Sequence, residues 1–224
     1  MVERYLRNLG PLTESEQALL ATKTVFLAGL GGLGGHLLEH MLRLGVGAIV
    51  AADGDCFTPS NLNRQLLATE SVMGQPKAQA AAERAAAVNP GVRVTTVSAP
   101  LTAQNRDALL AGCDLALDGL DNLEARRILA AGCDWAGIPL VHGGIRDWCA
   151  QVAVIPPGSG LLDRIYPPHL SELSPSGTVS PVPAWCAAVQ AAQALCLLCG
   201  RPAPLWGKLL AADLLYGEQE ILPL

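Results

Sequence analysis

Thr24-Val-Phe-Leu-Ala28 runs directly into Gly29-Leu-Gly-Gly-Leu-Gly34, and the reading of this stretch decides the fold. Five apolar or β-branched residues in a row, stopped by glycine, read as a strand buried on both faces rather than as a half-exposed one, which would alternate. The glycines permit a tight turn and close approach of backbone, and His36 to Leu44, ended by Gly45, reads as the helix that follows. A strand, a glycine loop and a helix in that order form the opening of a dinucleotide-type βαβ unit, in which helix N-terminal N–H groups face phosphate. A close helix–sheet contact would use the same glycines without any ligand.

Outward from this unit the rhythm repeats. Ile49-Val-Ala-Ala52 is a second strand ending in Asp53-Gly-Asp55. After a polar loop comes an alanine-rich helix, with Pro76 near its first position and Asn89-Pro90 closing it. Strands Val92 to Val97, Asp114 to Leu117 and Pro139 to His142, with a helix over Leu123 to Ala136, continue the alternation. This predicts an α/β fold, Rossmann-like, with a mostly parallel sheet covered by helices on both faces. Upstream, Thr13 with Glu16 three residues on is a capping-box signature for a short helix. From Trp148 the pattern changes. Cys149 to Ile155 and Leu209 to Leu222 read as strands of a C-terminal antiparallel extension, separated by a Pro/Ser/Gly-rich loop over Pro156 to Pro183 and an apolar helix over about Ala184 to Leu198. Prolines and glutamines interrupt the uncharged run Leu173 to Gly200, so a core helix is expected there and not a membrane span. No repeat or linker divides the chain, so residues 1–224 are read as one domain.

Half the residues are apolar and 16% are charged, which excludes disorder. The net charge of −5 gives no general attraction to nucleic acid or anionic membrane, so an anionic ligand has to be held by local groups. Charged residues fill Met1 to Asn8, where an export signal would be apolar, and seven irregularly spaced cysteines fit buried thiols in a reducing compartment; a cytoplasmic setting is expected.

Three places carry candidate chemistry. Asp53, at the end of the second strand, stands where an acid accepts hydrogen bonds from ribose hydroxyls. Asn61-Leu-Asn-Arg-Gln65 and Gly74-Gln-Pro-Lys77 then supply Arg64 and Lys77, a polar basic cluster that suits a triphosphate better than a nicotinamide cofactor. Lys77 opens a helix, where the dipole disfavours a cation; either it serves a ligand or it is a solvated surface lysine. Leu117-Asp-Gly-Leu-Asp121-Asn122 puts carboxylates at the C-terminal edge of the sheet, where Asp121 could hold magnesium on phosphates, or Asp121 or Asn122 could cap the next helix. His36, His40, His142 and His169 are scattered and read as core or surface residues; Arg126 and Arg127, following Asp121 on a helix, could reach anions or equally form a solvated face or an ion pair with Glu124.

Together with Arg4-Tyr-Leu-Arg7 and Asn89-Pro90, these motifs resemble, in order over about the first 155 residues, the ThiF/MoeB/HesA family, bacterial relatives of ubiquitin-activating enzymes. The resemblance implies a homodimer that binds ATP and magnesium and adenylates the C-terminal glycine of a small ubiquitin-like sulfur carrier of the ThiS or MoaD kind, in thiamine or molybdopterin biosynthesis. It implies a nucleotide-binding core over about residues 22–155 and a carrier-binding part over about 156–224. Carried over by position, Gly29, Gly31, Gly32, Leu33 and Gly34 form the phosphate loop, and Asp53 and Asp55 lie at the ribose end. Asn61, Arg64, Gln65 and Lys77 contact phosphates, Asp121 acts through magnesium beside Asn122, and Arg7 reaches the triphosphate of the neighbouring subunit. Two departures stand out. Where many relatives carry the first of two zinc-binding Cys-x-x-Cys pairs, this chain reads Gly160-Leu-Leu-Asp-Arg-Ile165; Cys196 and Cys199 form a lone pair, so no zinc site is expected. Where some relatives carry a transfer cysteine, it reads Glu172-Leu-Ser-Pro-Ser-Gly177, so adenylation without covalent transfer through that loop is expected. A non-catalytic ATP-binding scaffold and, on the glycine loop and Asp53 alone, a NAD-dependent oxidoreductase are the competing readings.

Overall fold

The computed structural model describes residues 3–171 and 176–224. Its strands are β1 (Thr24–Ala28), β2 (Ala48–Ala52), β3 (Arg93–Val97), β4 (Leu115–Asp118), β5 (Leu140–Arg146), β6 (Cys149–Ile155), β7 (Lys208–Asp213) and β8 (Glu218–Pro223). They form one eight-stranded sheet in the order β3-β2-β1-β4-β5-β6-β7-β8. The first five are parallel neighbours, and β6, β7 and β8 are added antiparallel. The expected α/β class and antiparallel extension are therefore what the chain forms. The stretch Leu209 to Leu222 is a hairpin of two strands, because Gly217, at φ 73°, turns the chain between them.

Alternation along the strands sorts side chains onto two faces. Val25, Leu27, Ile49, Ala51, Leu115, Leu117, Val152 and Val154 pack under α2 (Gly32–Leu44), α3 (Lys77–Val88) and α7 (Pro181–Leu198). Phe26, Ala28, Ala52, Ala116, Leu140, Ala153 and Ile155 face the opposite way, toward α4 (Arg106–Leu110), α5 (Leu123–Ala136) and α6 (Leu162–Ile165). Both faces being covered explains why these strands read as unbroken apolar runs.

α1 (Glu14–Leu20) begins at Thr13, whose Oγ1 accepts from Glu16 N at 3.2 Å while Thr13 N donates to the Glu16 carboxylate at 2.8 Å, completing the capping box. α7 begins at Pro181 rather than near Ala184, since prolines in a first turn have no amide hydrogen to lose. It passes the length and apolarity test for a membrane span, yet Val182, Cys186, Ala187, Gln190, Ala191, Ala194 and Leu198 are buried in the core, the packing of an interior helix. The segment expected as loop, Pro156 to Pro183, also contains α6, and residues 172–175 of it lie outside the described residues. At the N-terminus, Asn89 Nδ2 donates to Tyr5 Oη at 2.8 Å and to Leu42 O at 2.7 Å, and Arg4 donates to Asn89 Oδ1. The N-terminal turn is thereby tied to the end of α3.

Candidate active site

The strand order reverses between β1 and β4, and such a switch point leaves a crevice beyond the C-terminal strand ends. Here it opens as a cleft of about 1920 Å³, several times what a nucleotide needs, which runs from the Gly29–Gly32 loop past Asp121 to β7 and β8.

The loop is built by close approach. A Cβ on Gly34 would lie 1.9 Å from Gly29 O, and one on Gly29 (φ +85°) would lie 2.7 Å from Gly119 O. Gly34 therefore shapes the loop from behind, while Gly29, Gly31, Gly32 and Leu33 line the cleft. The sequence placed the start of this helix at His36; it begins at Gly32, with Gly31 at its cap, so free helix N–H groups belong to the loop itself.

Asp53 lies at the end of β2, its carboxylate accepting from Leu30 N at 2.7 Å and Asp55 N at 2.8 Å. Burial raises its pKa, against the lowering effect of those two hydrogen bonds and of Lys77. Lys77 opens α3 as expected, and of its two readings the solvated surface lysine is excluded: it is 6% exposed, and its Nζ lies 2.9 Å from Asp55 Oδ2 and 4.0 Å from Asp53 Oδ1. These two acids offset the cost of a lysine at a helix start. Arg64 lines the same wall and donates to Ser60 O at 3.1 Å and Asn63 Oδ1 at 2.9 Å. Gln65 is buried beside Gly31, and its Oε1 has no hydrogen-bond partner among the described residues. The orphaned Oε1 is an acceptor and calls for a donor such as a ligand hydroxyl, whereas the Nε2 of the same amide, beside Gly31, is the group that can donate to an anionic oxygen.

Asp121 and Asn122 line the cleft opposite and are exposed. Asn122 is the cap of α5, its Oδ1 accepting from Ala125 N at 2.8 Å, and Asp121 is left facing the cleft. Two sequence candidates stand elsewhere. Asn61 Oδ1 accepts from Thr58 N at 3.0 Å and closes a turn outside the cleft lining, and Arg7 is exposed on the N-terminal turn, away from this cleft. Among the described residues no group of three or more His, Cys, Asp or Glu is placed to hold a metal ion.

The residues that sequence reasoning missed lie beneath the cleft floor. Asp118 is fully buried and its Oδ2 lies 2.7 Å from His142 Nδ1 and 3.4 Å from Arg126 Nε. Tyr166 Oη accepts from Arg126 Nη1 at 2.8 Å and from Gln151 Nε2 at 2.5 Å. Burial alone would raise the Asp118 carboxyl, but Arg126 and His142 outweigh it and hold the acid ionised; burial keeps His142 below its ordinary value, hence neutral. Of the alternatives open to Arg126, the solvated face is excluded: it is 8% exposed and lies with Leu123, Leu129 and Cys133 on the buried side of α5. That spacing was the available signal.

Cys186 is fully buried, and burial pushes its thiol up to about 12. Cys113, Cys133 and Cys186 are buried, Cys196 and Cys199 partly so, and Cys56 and Cys149 exposed, so three of the seven are the buried thiols that the sequence led one to expect.

With this geometry in hand, comparison places the chain. A family model described as the ThiF family matches residues 5–224, and the chain belongs to that family. It is 33% identical to a molybdopterin-synthase adenylyltransferase of Escherichia coli, over 88% of this chain and 81% of the relative. It is 34% identical to a sulfur carrier protein adenylyltransferase of Thermus thermophilus, over 96% of this chain and 84% of the relative. Among solved structures, E. coli MccB crystallised with ATP superposes with a TM-score of 0.81 at 19% identity, covering 100% of this chain and 72% of that one, a likeness of fold.

Proposed function

We propose that this protein is an ATP-dependent adenylyltransferase that activates the C-terminal glycine carboxylate of a small ubiquitin-like sulfur carrier and releases pyrophosphate. The observation that carries the reading is the convergence of Arg64, Lys77 and the glycine loop on one cleft wall, opposite Asp121, with room left over along β7 and β8 for a second substrate. The names of the relatives supply the substrate class.

Asp53 would hold the ribose, and the loop amides with Arg64, Gln65 and Lys77 would hold the phosphates. Lys77 is already positioned by Asp55, so binding exchanges one anionic partner for another. The carrier's carboxylate is ionised near neutral pH and needs no general base. Its attack on the α-phosphate brings anions together, so the side chains act by alignment and by neutralising developing charge. Magnesium bound to the phosphates and Asp121 would supply further neutralisation, in keeping with its habit of taking one or two carboxylates plus phosphate oxygens. The buried Cys186 takes no part.

Arg7, exposed and outside the lining of its own cleft, suits the reading of a homodimer in which it completes the partner's site. A cytoplasmic setting agrees with seven free cysteines.

ATP–pyrophosphate exchange with magnesium, using each Gly-Gly-ending ubiquitin-fold protein of the same genome and the same carriers lacking the last glycine, tests this. Exchange with an intact carrier alone is expected. Bound ATP with no exchange for any carrier would favour the scaffold reading instead.

A further inference from the structure

Arg126, in the cleft lining, directs its guanidinium to the protein's own carbonyls and the Tyr166 hydroxyl. We propose that Arg126 is a positioning residue for Asp121, fixing from beneath the turn that presents this carboxylate to a nucleotide-bound divalent cation. The inference rests on the adenylation reading, and in particular on Asp121 acting through the cation.

Between β4 and α5 the chain turns through Gly119, Leu120, Asp121 and Asn122. Its main-chain groups are anchored one after another. Asp118 O accepts from Gln190 Nε2 at 2.9 Å, Gly119 N donates to Ala28 O at 2.8 Å, and Leu120 N donates to Asp118 Oδ1 at 2.9 Å. Leu120 O accepts from Arg126 Nη2 at 2.6 Å. The peptide joining Leu120 to Asp121 is planar, so holding the Leu120 oxygen also fixes the nitrogen and Cα of Asp121. On the other side Asn122 is held as the helix cap. Among the described residues the Asp121 carboxylate receives one weak contact, from Asn122 Nδ2 at 3.4 Å, while the backbone on either side of it is held by these two brackets.

Arg126 is itself held on all sides. The same Nη2 reaches Gly143 O at 3.1 Å on β5, Nη1 donates to Tyr166 Oη, and Asp118 neutralises the charge. Several donors in one rigid plane connect β4, β5 and the end of α6, which a lysine ammonium on a flexible stem cannot reproduce. Partners lying behind a metal ligand typically change metal affinity by about 10- to 100-fold when replaced.

The test is calorimetric titration of ATP into the whole protein, in EDTA and in magnesium, with the melting temperature recorded for each variant. The quantity read is the gain in ATP affinity that magnesium confers. Arg126→Lys should reduce this gain by about tenfold while leaving the affinity in EDTA at the wild-type value, a pattern that general collapse of the cleft would not give. Tyr166→Phe, which removes one partner of the guanidinium and keeps the ring, should reduce the gain by about threefold and decides the matter if Arg126→Lys does not fold. Asp121→Asn is the reference: loss of the gain is expected. An unchanged gain in Arg126→Lys and Tyr166→Phe, with loss in Asp121→Asn, would overturn the positioning role alone. A wild-type gain in Asp121→Asn would overturn the role of that carboxylate and this inference with it.

Discussion

Gly34→Ala should separate the architecture of the phosphate loop from its chemistry. Gly34 lies inside α2, where alanine is intrinsically preferred over glycine by about 1 kcal/mol, so propensity alone predicts a more stable protein. Geometry opposes this. The added methyl would sit 1.9 Å from Gly29 O and 2.7 Å from Gly29 C, both backbone atoms. An ordinary contact is near 3.5 Å, so about 1.5 Å of displacement is required. The Gly29 carbonyl cannot simply retreat, because Gly29 packs on the Gly119 carbonyl of the Asp121 turn. Overpacking typically costs about 1–3 kcal/mol, and this clash falls at the severe end; after subtracting the propensity gain, a net loss of about 2 kcal/mol is expected, or roughly 4–8 °C in melting temperature for a chain of this length. ATP affinity should fall with it. Gly31→Ala is the control: its Cβ would meet only Gln65 Nε2, at 3.6 Å, an ordinary contact on the cleft side. It should melt within about 2 °C of wild type yet bind ATP more weakly, since the methyl occupies the approach of phosphate. Thermal melts and ATP titrations of both variants provide the assay. A Gly34→Ala protein with wild-type stability and affinity would refute the close-approach argument.

Lys77→Ala leaves Asp53 and Asp55 without their cation, and we expect pyrophosphate exchange to fall by about 100-fold. The already raised pKa of Asp53 should rise further, so the penalty should be small in acid and grow as pH climbs above the carboxylate range; equal melting losses at pH 5 and pH 8 would contradict this. His142 is neutral in the fold and protonates in the unfolded chain below about pH 6.5. The unfolded state then binds more protons, so stability falls with pH through that window, by at most about 1.4 kcal/mol per pH unit for one group. His142→Asn, which still donates to Asp118, should flatten the slope between pH 6.5 and 5 in urea titrations, and an unaltered slope would assign it to His36 and His40, which burial also shifts downward.

What the sequence made legible were features with a local cause. The Thr13–Glu16 capping box, the left-handed glycines ending α2 and α5 at Gly45 and Gly137, and the buried strand before Gly29 each follow from a few neighbouring residues. Asp53, Arg64, Lys77 and Asp121 were legible because a polar residue at a strand end or beside a glycine loop has few structural reasons to be there. The misses had distant causes. α4 and α6 are too short to show a period, and their stability comes from packing on α5 and the sheet. His142 and Tyr166 are 24 residues apart, and nothing local says that both meet Asp118's network. Lys77 looked exposed because its polar sequence neighbours were visible and the carboxylates covering it, more than twenty positions upstream, were not.

The same pairing of charges bears on magnesium, for which no preformed carboxylate cluster argues. Among the described residues seven carboxylates line the cleft, Asp53, Asp55, Asp121, Glu124, Asp213, Glu218 and Glu220, against four cations, Arg64, Lys77, Arg126 and Arg146. Of these cations Arg126 is neutralised from below by Asp118, and Lys77 is held by Asp55. A bare triphosphate entering such a cleft adds negative charge to an excess of it, and the low-dielectric walls strengthen the repulsion. On the proposed reading, two positive charges carried in with the phosphates would remove most of that cost, and Asp121, an exposed carboxylate whose neighbouring backbone is held by Arg126 and the Asn122 cap, would receive them. In a chain of net charge −5, a divalent cation is therefore the economical source of the missing positive charge. On the adenylation reading, the acids of β7 and β8 that line this cleft would lie beyond the phosphates, on the side from which a polypeptide would bring its carboxylate.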